Sequence, residues 1–180
     1  MIVAREKKKE NIAEYLLYMW QIEDLIRANG LDIEKIRQNI IDRYDLPDDV
    51  KREMTVWYEE LIEMMRAEGV TESGHLQINK NIISELSDLH IALLNSTKFP
   101  QYGAVFFKTL PYIVELRKKQ GENQTGEIET CFSALYGVLL LRLSGKDISS
   151  GTGEAIKQIS AFISALAAMY KREKNGELEL

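Results

Sequence analysis

The chain has 180 residues, of which 45% are hydrophobic and 28% charged, with a formal net charge of −5. This length fits one domain that buries about 70% of its unfolded surface, and the composition is globular rather than disordered. Residues 1–98 hold 13 basic and 19 acidic side chains while residues 99–180 are nearly balanced. That distribution argues against a nucleic-acid partner, since such binding rests on neutralising phosphates.

The longest apolar runs, ALYGVLLL and ISAFISALAAMY, fall well short of the roughly 20 residues that a membrane span needs. The opening MIVAREKKKENIAEY has basic residues but no apolar stretch of the secretory kind. A cytoplasmic protein with no membrane partner is expected. The single cysteine, Cys131, has no internal disulfide partner and no histidine near it in sequence. It reads as a buried structural thiol.

In chain order, the first predicted helix runs from Ala4 to Ala28 and ends at Asn29-Gly30, a left-handed stop signal. Within it, EYLLYMWQIEDLI places six large side chains in a row, Tyr15 to Trp20. At roughly 100° per residue these point in every direction, so this helix should pack against several neighbours. Asp32 caps a second helix carrying Ile33, Ile36, Ile40 and Tyr44. Pro47, Asp48 and Asp49 suit the first turn of a third, with a stripe of Val50, Met54, Trp57, Leu61 and Met64 before Gly69. VTESGH is a turn, and a fourth helix presents Ile82, Leu86, Leu89 and Leu93.

Pro100 opens the fifth helix, and Pro111 removes the backbone bond to Phe107, which predicts a kink or restart. KKQGENQTGE reads as an exposed, mobile loop. The sixth helix spans Glu127 to Leu143 and stops at Gly145, with Phe132, Leu135, Val138 and Leu139 on one side. The seventh spans Thr152 to Lys171, with Ile156, Ile159, Ile163, Leu166 and Tyr170 on one face and Ala161, Ala165 and Ala168 opposite. A polar tail follows from about residue 172. No segment alternates like a strand. The expected fold is all-α, a single-domain bundle of about seven helices over residues 1–180. Helices one, six and seven should be the most buried, with Leu16, Met19, Leu135, Leu139, Ile159 and Leu166 in the core.

Most chemistry-bearing residues have a structural reading. Glu72 and His75 are separated by a glycine-containing turn, and His90 falls on the apolar face of helix four beside Ile83, Leu86 and Leu94. A hydrogen-bonded histidine at the core edge explains His90 better than a metal ligand does. SSGTGEAIK lacks the preceding strand of a phosphate loop and reads as a flexible helix entry. Arg142 suits the negative end of helix six. Phe106, Phe107 and Tyr112 near Lys118 and Lys119 could stack bases, but Phe106, Leu110 and Ile113 keep helical spacing and read as core. An aromatic ligand pocket near Trp20, Trp57 and Phe106 has only composition behind it.

The sharpest pattern is acidic: Glu59, Glu60 and Glu63 in EELIE, then Glu85 and Asp88 in ELSD. It resembles the EExxE and ExxD signature of the all-helical nucleoside-triphosphate pyrophosphatases. That resemblance implies carboxylates on antiparallel helices holding Mg²⁺ ions that activate water against a phosphate ester. Against it, Glu59 and Glu63 lie nearly opposite the Trp57–Leu61–Met64 stripe, and no basic group is placed for a triphosphate. A solvated acidic face is the expectation.

ENIAEYLLYMWQIEDLIRANG, GVTESGHLQINKN, ETCFSALYGVLLLRL and EAIKQISAFIS together resemble an uncharacterised all-helical family of about 180 residues found in Bacteroidetes, a domain of unknown function. The resemblance covers essentially the whole chain and implies a helical fold but no catalytic residues. The expected function is therefore a non-enzymatic cytoplasmic helical protein, acting through self-association, as a weak homodimer, or through a protein partner. No catalytic, cofactor-binding or metal residue is assigned. The alternative is a Mg²⁺-dependent hydrolase using the five carboxylates.

Overall fold

The computed structural model describes residues 2–121 and 125–180, so part of the loop expected at 118–127 lies outside the described residues. Every regular element among them is helical: α1 (Ile2–Glu10), α2 (Ile12–Ala28), α3 (Ile33–Asn39), a 3-10 turn (Ile41–Arg43), α4 (Asp48–Ala67), α5 (Gln77–Asn95), α6 (Pro100–Lys119), α7 (Glu127–Leu143) and α8 (Ser150–Lys174). The chain forms two compact units. One comprises Met1–Lys8 and Glu14–Asn81, the other Lys9–Ala13 and Ile82–Leu180.

The helix count exceeds the expected seven because the first predicted helix is divided. Asn11 interrupts it, and its side-chain oxygen accepts from the Ala13 amide at 3.0 Å. An asparagine at a helix entry satisfies an otherwise orphaned donor and so favours a restart.

In the first unit, no residue from Tyr15 to Arg27 is exposed, and Leu16, Met19, Trp20, Ile22 and Ile26 are buried. The stretch that is apolar all round is covered all round. Asp32 caps α3 as expected, accepting from the amides of Glu34 and Lys35. The helix stops at Asn39, however, and Tyr44 is exposed rather than part of an apolar stripe. On α4 the buried face is Met54, Tyr58, Leu61, Ile62 and Met65. Val50, Trp57 and Met64, expected at the core, are half-buried. The inward face is rotated because Tyr58, Ile62 and Met65 supply the larger apolar area on that side.

In the second unit, α6, α7 and α8 pack against one another. Ile82, Leu86, Leu89 and Leu93 of α5 are all buried, as their spacing predicts. Helix α6 runs unbroken through Pro111, correcting the expected restart. Pro111 and Phe107 are both exposed, so water can reach the Phe107 carbonyl that the proline leaves without its helical donor. The buried Thr109 hydroxyl lies 2.9 Å from the Val105 carbonyl and 3.3 Å from that of Gln158 on α8, tying the two helices.

Helix α8 buries Ile159, Phe162, Ile163, Leu166, Ala167 and Tyr170. On α7, Cys131, Phe132 and Val138 are buried, whereas Leu135 and Leu139, expected in the core, are half-buried. The last turn of α7 is exposed, with Arg142 and Leu143 both open to solvent. Helix six of the sequence reading is thus central only through its first half.

These burial differences predict unequal sensitivity to truncation. Leu16→Ala should cost about 2–5 kcal/mol because it opens a cavity where nothing is solvated. Leu135→Ala should cost less than half as much. Urea denaturation of the two variants checks this ordering.

Candidate functional site

The five acidic residues fall in both units. In the first, Glu59 and Glu63 line an open groove of about 620 Å³ with Asp32, Ile62 and Arg66. Glu63 is held by Arg66 at 2.7 Å, and Arg66 also donates to the Leu31 carbonyl at 3.2 Å. Glu60 is exposed. In the second unit, Glu85 accepts from the Tyr170 hydroxyl at 2.8 Å and pairs with Lys174 at 2.9 Å, while Asp88 is exposed. Burial and Glu85 together push the Tyr170 hydroxyl up to about 12. Among the described residues, no three His, Cys, Asp or Glu side chains group as a metal ion would require.

A different carboxylate is the centre of the first unit. Glu23 of α2 is fully buried, in register with Leu16, Met19 and Ile26 at spacings of three and four. One oxygen accepts from the Leu76 amide at 2.9 Å and the Asn79 side-chain amide at 2.7 Å; the other bonds His75 Nδ1 at 2.6 Å. Leu76 immediately precedes α5, so a carboxylate from α2 does the work of an N-terminal cap and favours the positive end of the α5 dipole. The His75 ring stacks on Trp20, centroids 4.0 Å apart and 11° from parallel.

One turn further along α2, Arg27 donates to the carbonyls of Val70, at 3.1 Å, and Gly74, and pairs with Asp24 at 2.8 Å. Two side chains of one helix therefore hold the 70–76 connection. The sequence contained a signal for this: a glutamate at a core register position, followed downstream by Asn79 in register with Ile82 and Leu86. In the sequence His75 is weighed only against Glu72, which a turn separates from it, whereas its partner lies 52 residues away.

In the second unit, His90 of α5 is buried among aromatic rings, 4.6 Å from Phe106 and 5.4 Å from Phe162. Its Nδ1 lies 2.6 Å from the Tyr102 hydroxyl and its Nε2 3.6 Å from the Glu127 carboxylate. The carboxylate favours a proton on Nε2, which leaves Nδ1 to accept from Tyr102. Burial holds His90 below its ordinary value, against a smaller opposing pull from Glu127. Burial also pushes the Cys131 thiol up to about 12, the environment of an inert structural cysteine. Ser149 caps α8 by accepting from the Thr152 amide, so Gly151 and Gly153 lie in a capped helix entry.

One exposed apolar stripe lies on α6. Ala104, Phe107, Pro111 and Val114 are all exposed, with Phe107 at 64%. Their spacing of three, four and three forms a narrow stripe. Phe106 and Ile113, on the other side of the helix, are buried as their spacing predicts.

Fold and sites together define a helical protein whose polar constellations are internal. Residues 1–177 match the family described as Domain of unknown function (DUF4924), and the chain belongs to that family. No curated protein and no solved structure matches the chain. No helix among the described residues is long and apolar enough to cross a membrane.

Two measurements follow from the internal networks. Glu23→Ala should cost about 3–5 kcal/mol, because it strands buried donors and an imidazole; His75→Ala, at a half-buried position, should cost less. Chemical denaturation compares them. For His90, the depressed value in the fold means the unfolded chain binds the proton first as pH falls below about 6.5. The stability contributed by neutral His90 is therefore present above that pH and lost below it. His90→Gln should flatten the decline in melting temperature as the pH falls below about 6.5.

Proposed function

We propose that this protein is a non-enzymatic, cytoplasmic binding module that acts by pairing with a second copy of itself through α6. The observation that carries this reading is the exposed stripe of Ala104, Phe107, Pro111 and Val114. It runs about 15 Å along the helix, the geometry of a seam between two helices. Covering one exposed phenylalanine is worth about 1.5–3 kcal/mol, so leaving Phe107 in water has a cost that a partner surface would remove. A two-fold axis is the commonest way to bury such a stripe, since each copy supplies the same surface to the other. A weak homodimer is the result, and no cofactor or metal enters its action.

Leu140, Leu141 and Leu143 at the end of α7 form a second exposed apolar group. Leu140 and Leu143 share a face at a spacing of three while Leu141 turns away, so this group is about one turn long, and the longer stripe on α6 is the favoured contact. Sedimentation equilibrium across micromolar concentrations tests the reading. The expected result is a monomer–dimer equilibrium that Phe107→Glu abolishes and Leu143→Glu leaves intact. A clean monomer throughout, or a dimer indifferent to Phe107→Glu, overturns it.

A further inference from the structure

The exposed stripe of α6 is symmetric in sequence about Pro111. Phe107 lies four residues before it and Val114 three after, while Ala104 and the exposed Lys118 lie seven residues to either side. All five keep the alternating spacing of a helix–helix seam. Two exposed charges border that seam, Lys108 three residues before Pro111 and Glu115 four after. At ~100° per residue both fall on the same flank, ~60° and ~40° round from Pro111. Glu115 pairs with Lys119 at 2.8 Å, and both side chains are well exposed. The opposite flank of the seam holds Gly103, Leu110 and Arg117, all half-buried, and no carboxylate.

A two-fold axis can join two such helices in two ways. An axis parallel to the helices sets each seam residue beside its own copy and brings opposite flanks together. Lys118 then meets the partner's Lys118, and Lys108 faces a flank without a carboxylate. An axis across the helices at Pro111 instead brings like flanks together in reverse order. Phe107 then packs on the partner's Val114, and Ala104 receives the aliphatic stem of the partner's Lys118. On the charged flank Lys108 meets the partner's Glu115, and symmetry makes the pair twice. The charge pattern complements itself only in this second arrangement.

We infer that the second copy lies antiparallel on α6, with the two-fold axis at Pro111 and reciprocal Lys108–Glu115 ion pairs between the copies, an inference that rests on the self-pairing proposed above. The apolar seam supplies the attraction and the charged flank selects the register. Exposed ion pairs add little affinity of their own, whereas like charges set in their place are penalised, so the flank acts chiefly by excluding the parallel and shifted alternatives.

The test is sedimentation equilibrium of charge-reversed full-length chains, joined to chemical crosslinking. Lys108→Glu and Glu115→Lys each place two like-charge contacts in the dimer and should each weaken it about tenfold, while Lys108→Glu/Glu115→Lys should restore it to within about twofold. A short bismaleimide should join an Ala104→Cys chain to a Lys118→Cys chain in a mixture and neither chain to its own kind; the native Cys131 is buried. A dimer that Phe107→Glu abolishes but single charge reversal leaves unchanged overturns the antiparallel register alone. So does a double reversal that fails to restore pairing, or an Ala104→Cys chain that crosslinks to itself. A chain that is monomeric throughout overturns the self-pairing as well.

Discussion

The buried carboxylate of Glu23 is the constraint on which the first unit depends. A fully enclosed acidic side chain is tolerated only where its oxygens are bonded, because removing it from water is otherwise very costly. Here it bonds the amide that begins α5, the side chain of Asn79 and the ring of His75. Each partner lies more than 50 residues away in sequence, so the interaction ties α2 to the connection leading into α5. Arg27 repeats the arrangement one turn later by binding carbonyls of the same connection. A loop without regular structure is thereby held at both ends by one helix, and its backbone groups find partners they could not find among themselves.

The continuation of α5 into the second unit carries a polar cluster of a different kind. His90 has both ring nitrogens near protein groups and aromatic rings around it. Glu23 gathers several donors around an acceptor, whereas burial favours neutral His90, which bonds the Tyr102 hydroxyl through Nδ1. Both clusters are internal, and their chemistry goes into placing helices. The open surface has the complementary character. On α6 the inward face holds Phe106 and Ile113 while the outward face holds Phe107 and Val114, so one helix is apolar on two sides but covered on only one. The proposed self-pairing rests on this asymmetry.

The sequence by itself determined that the chain is helical, where most helices stop, and which residues of α5 and α8 face inward. These depend on local rules: a cap at Asp32, glycines at positions 30, 69 and 145, and apolar residues repeating every three or four positions. It also carried the excess apolar character of α2 that burial explains. Asn11 was a local signal as well, but the strong helix formers around it masked the break. The tertiary structure alone decided which of two apolar faces is covered, because periodicity describes a helix without its neighbours. Leu135 and Leu139 share the spacing of core residues yet remain half-buried, and Phe107 is as apolar as Phe106 yet exposed. The partner of His75 was equally beyond sequence reading. Glu72 is near in the chain and Glu23 is near in space, and only the fold brings the second within hydrogen-bonding distance.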